Sequence, residues 1–175
     1  MDAGKARTLI IARDAQDFDE RSARLAELSE MMPSEGRLRF EGAVAELLFD
    51  DVKATWIYGC FTSTVLTGAA FCIQQLAGSI RFLPDDPGLA EEAPSLEDLA
   101  RLSMDRGIIG VDLQSQLIQL HDRLMYYVRT GLHEDPRQLE RHFRDADTFA
   151  EAEDPLLVDA RLALTCAVGL VRIEI

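Results

Sequence analysis

Between Lys53 and Arg81 this chain carries no charged side chain, and the uncharged stretch is long enough to cross a bilayer as a helix. Gly59 divides the stretch, however, and hydroxyl and amide side chains are spread along it: Thr55, Thr62, Ser63, Thr64, Thr67, Gln74, Gln75 and Ser79. Such polar side chains favour a helix at the centre of a bundle, where small residues let neighbouring helices approach closely. We therefore predict a central helix from Cys60 to about Leu83, buried in protein and not in lipid.

Apolar residues also recur at helical spacing on both sides of this central helix. The segment from Leu38 to Tyr58 is predicted to be a helix whose apolar stripe consists of Phe40, Val44, Leu47, Leu48, Val52, Thr55 and Trp56. The clearest pattern lies between Val111 and Thr130, where apolar residues follow at intervals of four, three, four and four: Leu113, Leu117, Leu120, Leu124 and Val128. Leucines at this spacing are expected in the core.

Local signals mark the ends of further helices. Ser95, with Asp98 three residues later, predicts the capped start of a short helix that Gly107 ends. Proline suits the first turn of a helix, because its missing N–H is not needed there. Pro136 is therefore predicted to open a helix that reaches about Ala152, and Pro155 to open the last one.

The N-terminal part is less regular. A helix is predicted from Glu20 to Met32, with apolar residues at Leu25, Leu28 and Met32, whereas Thr8 to Ala12 fits either a short strand or a helical turn. Because helix follows helix without a convincing strand, the expected fold class is all-α, an antiparallel helical bundle of about five to seven helices. Residues 1–175 are predicted to form a single domain, with residues 1–19 as a loosely packed N-terminal segment.

Charge and cysteine content restrict the function. The net charge of −13 argues against a surface that binds nucleic acid by charge alone, because phosphate contacts need clustered Lys and Arg. Cys60, Cys72 and Cys166 lie in apolar stretches, without a CxxC pair, and are predicted to be reduced thiols in the core. The N-terminus shows no pattern of a secretory signal, so the expected location is the cytoplasm, with no membrane partner.

Motifs for several kinds of chemistry are absent from the sequence. Neither GxxxxGK[ST] nor GxGxxG nor GxSxG occurs. Glu-x-x-His does not occur either, so Glu46 with Asp50 is interpreted as a solvated acidic face and His142 with Asp145 as a pair on a helix surface. We predict no cofactor and no metal. Four aromatic residues are interpreted as core or interface, with stacking on bases as the alternative: Trp56, Tyr58, Tyr126 and Tyr127.

Two stretches together resemble the HEPN superfamily, named for higher eukaryotes and prokaryotes nucleotide-binding. The first stretch has Gly59-Cys60-Phe61, Val65-Leu66, Ala69-Ala70 and Gln74-Gln75-Leu76, and the second has the helix Leu96–Arg106, Gly107-Ile108-Ile109 and the long helix before Arg129 and His133. The likeness covers roughly residues 40–170 and rests on the pattern and order of helices. It implies an all-α bundle. Many members are toxin RNases or parts of defence systems, and others lack activity.

The catalytic signature of that family is an Arg followed by a polar residue, with a His after four to six intervening residues at the end of a core helix. The matching place here holds Arg129 and His133, with a threonine after the Arg but only three residues between the two. Arg137 and His142 have four residues between them. The preceding proline, however, places that pair at a helix start, and five positions along one helix set the two side chains about 140° apart.

The segment around the first pair also has a purely structural interpretation. Gly131 suits a helix C-terminus, Asp135 caps the following helix, and the next proline fits its first turn. On the preceding helix, His121 lies about 60° from the middle of the leucine stripe and is expected at its boundary, whereas Arg123 lies about 100° to the other side. Arg129, about 140° away, should face water or another chain.

Two functions follow from these considerations. The first is a non-catalytic protein that acts through protein–protein contacts, with a protein partner or with itself as a homodimer. The resemblance places it in a bacterial defence or toxin–antitoxin type system. The alternative is a metal-independent RNase, in which Arg129 stabilises the phosphate and His133 acts in acid–base transfer with the ribose 2′-hydroxyl. The short spacing favours the first function, because small displacements of catalytic groups cost much of a rate.

Overall fold

The computed structural model describes residues 3–34, 37–81, 94–128 and 155–171; the side chains of 3–13 and 16 are excepted. These ranges contain six helices and no strand: α1 (Ala3–Met31), α2 (Ala43–Ile57), α3 (Phe61–Arg81), α4 (Leu96–Asp105), α5 (Val111–Val128) and α6 (Pro155–Val171). The prediction of an all-α helical bundle is confirmed. Helix α1 begins at Ala3, well before the predicted start at Glu20, and it includes Thr8–Ala12, so the strand alternative for that segment is wrong.

Helix α3 is the centre of the bundle, as predicted. It packs against α2, α4, α5 and α6. It approaches α6 closely at Gly68, where an added Cβ would lie 2.9 Å from the Cβ of Ala163, so only glycine fits there without a shift. In the part of the chain that the structure describes, no helix is long and apolar enough to cross a membrane.

The polar residues of α3 are satisfied by neighbouring backbone. Gln75 is 3% exposed, and its amide nitrogen donates to the carbonyl of Arg39 at 3.1 Å. Its amide oxygen accepts from the backbone N–H of Glu41 at 3.0 Å. Buried polar groups are tolerated when they are hydrogen-bonded in this way. One of the amides in the uncharged stretch therefore anchors the segment that leads into α2.

Helix α2 begins at Ala43, later than the predicted Leu38, and its buried face matches the predicted stripe only in part: Val52 and Trp56 are buried as predicted. The residues that it buries are Ala45, Phe49, Val52 and Trp56. Val44 and Leu47, which were predicted on the apolar stripe, are 56% and 65% exposed. The reason is an aromatic cluster: the Phe49 ring lies 5.5 Å from that of Phe40 and 5.3 Å from that of Phe71, centroid to centroid. These contacts turn Phe49 inward and the other apolar stripe outward.

The predicted start of α4 is confirmed in detail. The side-chain oxygen of Ser95 accepts from the N–H of Asp98 at 3.1 Å, and the Asp98 carboxylate accepts from the Ser95 N–H at 3.2 Å. The side-chain hydrogen bond from Ser95 lowers the pKa of Asp98. Because this pKa is depressed in the folded chain, the cap stabilises α4 above the unfolded pKa and is lost as the pH falls. Gly107, with φ 70°, follows the helix as predicted.

Helix α5 confirms the leucine pattern except at its end. Leu117 and Leu120 are fully buried, and Leu113 and Leu124 are half-buried against the core. Val128, the last residue of the apolar pattern, is 49% exposed and so lies outside the core. An α-helix has 3.6 residues per turn, so a row of residues three and four apart drifts around the axis and leaves the core at one end.

Arg24 fastens α1 to the turn between α2 and α3. Its Nε donates to the carbonyl of Ile57 at 2.9 Å, and its guanidinium lies 5.8 Å from the centroid of the Phe61 ring. In return, Trp56 Nε1 donates to the backbone carbonyl of Arg24 at 3.1 Å. The side chain of Arg24 is 15% exposed, so these bonds are shielded from water. Arg24 therefore joins three helices at one point.

We expect Arg24→Ala to loosen α1 before the rest of the bundle. Loss of charge-assisted bonds to a carbonyl that stays partly buried should cost about 1–3 kcal/mol. Amide hydrogen exchange should accelerate across α1 while the slow amides of α3 keep their protection. The matched control is Arg21→Ala, since Arg21 lies 5.8 Å over the exposed Tyr58 ring. Loss of this exposed contact should lower the free energy of unfolding by less than about 1 kcal/mol. Unchanged exchange in α1 for Arg24→Ala would contradict this role.

Candidate functional site

The Arg–His pair of the sequence hypothesis, Arg129 and His133, lies outside the described residues. The same holds for Arg137, His142 and the helix predicted from Pro136. Their catalytic roles stay predictions. We expect no metal-independent cleavage when the purified chain is mixed with single-stranded RNA. Cleavage that is lost in both Arg129→Ala and His133→Ala, with helicity retained, would establish the RNase alternative.

His121 lies at the boundary between core and solvent, in agreement with its predicted position on α5. Its Nε2 is 4.0 Å from a carboxylate oxygen of Glu97 on α4, and its side chain is 19% exposed. The same Glu97 carboxylate accepts from Arg101 at 2.6 Å. The carboxylate is therefore shared between a cation and the imidazole. This arrangement links the surfaces of α4 and α5.

A buried carboxylate, which sequence reasoning missed, joins α5 to α6. Asp159 is 3% exposed, and Tyr127 Oη donates to its Oδ2 at 2.9 Å. Arg123 Nε lies 3.6 Å from the other oxygen, Oδ1. Arg123 and Tyr127 are four positions apart on α5 and so project to the same side. The only sequence signal was a lone acidic residue in the apolar start of α6.

This cluster is better suited to holding two helices than to catalysis. A buried carboxylate is costly unless it is paired, and Asp159 has a partner on each oxygen. At 3% exposure the carboxylate is also shielded from a substrate in solution. The interpretation of Tyr127 as a core residue is consistent with this, because its ring packs against the core while its hydroxyl reaches Asp159.

The three cysteines do not share one environment. Cys72 and Cys166 are buried, as predicted, but Cys60 is exposed, so its predicted place in the core is wrong. The reason is its position in the turn before α3, where it no longer faces inward. Burial raises the pKa of Cys72 well above its ordinary value and that of Cys166 to about 12. A thiolate is the reactive form of cysteine, so neither buried thiol is an activated nucleophile.

We expect the thiols to react in two phases with Ellman's reagent at pH 8. Cys60 should react within minutes in the folded protein, because it is exposed. Cys72 and Cys166 should react only at the rate of unfolding, since burial both raises their pKa and shields them from the reagent. Cys60→Ser should remove the fast phase. Fast reaction of all three thiols in the folded chain would contradict the buried placement.

Metal and acid–base chemistry find little support among the described residues. That part of the chain holds no group of three His, Cys, Asp or Glu side chains suited to a metal ion. Asp50 is engaged with Lys53 at 2.6 Å. A surface pocket of about 350 Å³ lies where α1, α5 and α6 meet, and it is lined by Met31, Asp112, Leu113, Gln116, Thr165, Val168 and Gly169. A single carboxylate in this lining provides no acid–base pair.

The second apolar face of α2 is the most distinctive surface of the described chain. We call it the α2 stripe, and it consists of Val44, Leu47, Ala54 and Tyr58, with the acidic Asp51 at its middle. Residues spaced by three, seven and four positions lie on one side of a helix. Leu47 and Tyr58 are 65% and 67% exposed, and Val44 is 56% exposed. The stripe lies away from the buried face that contains Phe49 and Val52.

Two apolar residues of α1 are also exposed. Phe18 is 64% exposed and Leu25 is 50% exposed, and seven positions place them on one side of α1. Arg21, one turn after Phe18, lies over the Tyr58 ring at 5.8 Å and so connects α1 with the end of the α2 stripe.

No family model, no curated protein and no solved structure matches this chain. The resemblance to the HEPN superfamily therefore stays a prediction, and the function has to be argued from the surface itself.

Proposed function

We propose that this protein is a non-catalytic helical interaction module that binds a protein partner through the α2 stripe. The observation that supports this is the amphipathic pattern of α2, which is apolar on two faces although the bundle covers only one. Helices with apolar residues on several faces are normally enclosed by other elements. An exposed apolar row on such a helix is typical of a surface that a partner covers.

The composition of the stripe suits protein recognition. Tyrosine supplies a large apolar ring with a polar hydroxyl, and such residues are enriched at interfaces. Burial of the parts of Val44 and Leu47 that are still exposed would contribute about 1–2 kcal/mol each, before the entropic costs of association are subtracted. A few buried anchors of this kind dominate the affinity of an interface.

The polar clusters of the described chain do not offer a competing function. Asp159 is held by Tyr127 and Arg123, and the buried thiols have raised pKa values. The resemblance to the HEPN superfamily adds that the partner belongs to a bacterial defence or toxin–antitoxin type system in the cytoplasm. A second copy of the chain, as in a homodimer, is the other partner to be tested.

Site-specific photocrosslinking tests this function in cells that produce the protein. A photoreactive amino acid at Leu47 should give one discrete crosslinked product, because the side chain faces the partner. The matched control is the adjacent Glu46, which is also exposed but lies about 100° around the helix. A product at Leu47 and none at Glu46 is expected. Equal labelling at both positions, or none at Leu47, would overturn the proposal.

A further inference from the structure

We infer that the partner of the α2 stripe is a basic amphipathic helix of another protein, with a Lys or Arg placed opposite Asp51. This inference rests on the proposed function and specifies the partner of the same surface. The observations that lead to it are the position of Asp51 in the stripe, the ion pairs of its neighbours and the charge of the whole chain.

Asp51 lies at the middle of the α2 stripe. Val44 and Tyr58 end the stripe, and each is seven residues from Asp51. With a rise of 1.5 Å per residue, the stripe is about 21 Å long and Asp51 is about 10 Å from either end. Asp51 is exposed, and like the stripe it faces away from the buried side of α2. Any helix that covers the whole stripe must therefore cover this carboxylate.

The carboxylate of Asp51 has no ion-pair partner within the described ranges. The neighbouring Asp50 holds Lys53 at 2.6 Å, so that ammonium group is already engaged. The side-chain hydrogen bond at this position goes to the backbone instead: the carbonyl of Asp51 accepts from Thr55 Oγ1 at 2.8 Å. A carboxylate that loses water in an interface without a partner is strongly destabilising, whereas a cation opposite it offsets much of the lost hydration.

A second copy cannot supply the missing cation at this position. In a two-fold symmetric pair that matches one α2 stripe with the other, the central residue of one copy meets the same residue of its mate. This holds for parallel and antiparallel helices alike, so Asp51 would face Asp51. Two like charges in an apolar contact repel each other. The net charge of −13 on each chain adds to this repulsion over longer distances.

A basic partner helix matches both the apolar residues of the stripe and the carboxylate of Asp51. It would be about 15 residues long, with apolar residues matching the stripe and an Arg or Lys at the centre. An arginine fits best, because its guanidinium bonds a carboxylate through two parallel N–H groups. One helix against one helix buries less area than a standard interface, so the expected affinity is micromolar. Attraction between a basic helix and an acidic chain also speeds association.

Fluorescence anisotropy with the full chain and two synthetic peptides tests this inference. The probes are fluorescein-labelled 18-residue helical peptides with Leu at the matching positions and either Arg or Glu at the centre. The Arg peptide should bind at least tenfold more tightly than the Glu peptide. Asp51→Arg should reverse the preference, and Leu47→Asp should weaken binding of both peptides at least tenfold. Sedimentation equilibrium of the chain alone measures whether it is a monomer or a dimer.

The outcomes separate this inference from the proposed function. If both peptides bind equally and Leu47→Asp abolishes binding, the surface is an interaction site, but the requirement for a cation opposite Asp51 is wrong. If neither peptide binds, the inference is overturned, while photocrosslinking at Leu47 still decides the proposed function. A dimer of the chain alone that Leu47→Asp dissociates would assign the surface to a second copy and overturn the inference. A monomer together with the reversed preference would establish it.

Discussion

Replacement of Trp56 by alanine should lower the free energy of unfolding by about 3–5 kcal/mol, the range for truncation of a buried tryptophan. Trp56 is fully buried, and its ring lies 5.9 Å from that of Phe61, centroid to centroid. Its Nε1 also donates to the carbonyl of Arg24 at 3.1 Å. The substitution therefore removes a large apolar volume and one hydrogen bond between α2 and α1. Both losses act at the point where α1, α2 and α3 meet.

Urea unfolding followed by circular dichroism measures this effect, and Tyr58→Ala is the matched control. Tyr58 is only two residues from Trp56 but is 67% exposed, so its substitution should change the free energy by less than about 0.5 kcal/mol. If the two substitutions destabilised the chain equally, the assignment of buried and exposed faces on α2 would be wrong. The control also matters for function, since Tyr58 belongs to the α2 stripe and must be removable without unfolding.

Replacement of Leu120 by alanine should cost about 2–5 kcal/mol, the range for a leucine truncated in a core. Leu120 is fully buried on α5, which packs against α3, α4 and α6. A cavity between four helices has little freedom to collapse, so the cost should lie in the upper half of that range. Leu124 is half-buried on the same helix and gives a graded comparison.

The comparison of Leu120→Ala with Leu124→Ala tests whether α5 packs against the core with Leu120 buried and Leu124 half-buried. Leu124→Ala should cost about half as much, because its side chain keeps part of its contact with water in the folded chain. Both variants should unfold with the same dependence on urea as the parent chain, since the folded bundle is unchanged. A loss below about 1 kcal/mol for Leu120→Ala would show that α5 is not a core helix.

Burial of one face and exposure of the other give α2 two separate roles. Phe49 and Trp56 hold the bundle together from the inner face, while Leu47 and Tyr58 remain exposed on the outer face. Substitutions on the outer face should therefore affect binding without affecting stability. This separation is what makes the proposed function testable by point mutation.

The sequence by itself determined the all-α fold and the ends of some helices, because helix formation depends on residues near one another in the chain. The pairing of Ser95 with Asp98 and the end of that helix at Gly107 were predicted from the sequence and are present in the structure. Leu117 and Leu120 were predicted in the core from their periodicity and are fully buried. The uncharged stretch likewise indicated a central helix. Its lack of charge favours burial, and its amide side chains favour burial in protein over lipid.

Only the tertiary structure decided which face of α2 is covered. Periodicity gives the angle between apolar residues, but α2 has two apolar rows, and the choice depends on Phe71, which lies on another helix. The partner of Asp159 was equally hidden, because Tyr127 is thirty-two residues away in the chain. Burial is a property of contacts between distant segments, and no local pattern reports it. For the same reason Cys60 and Cys72, both in apolar stretches, ended in opposite environments.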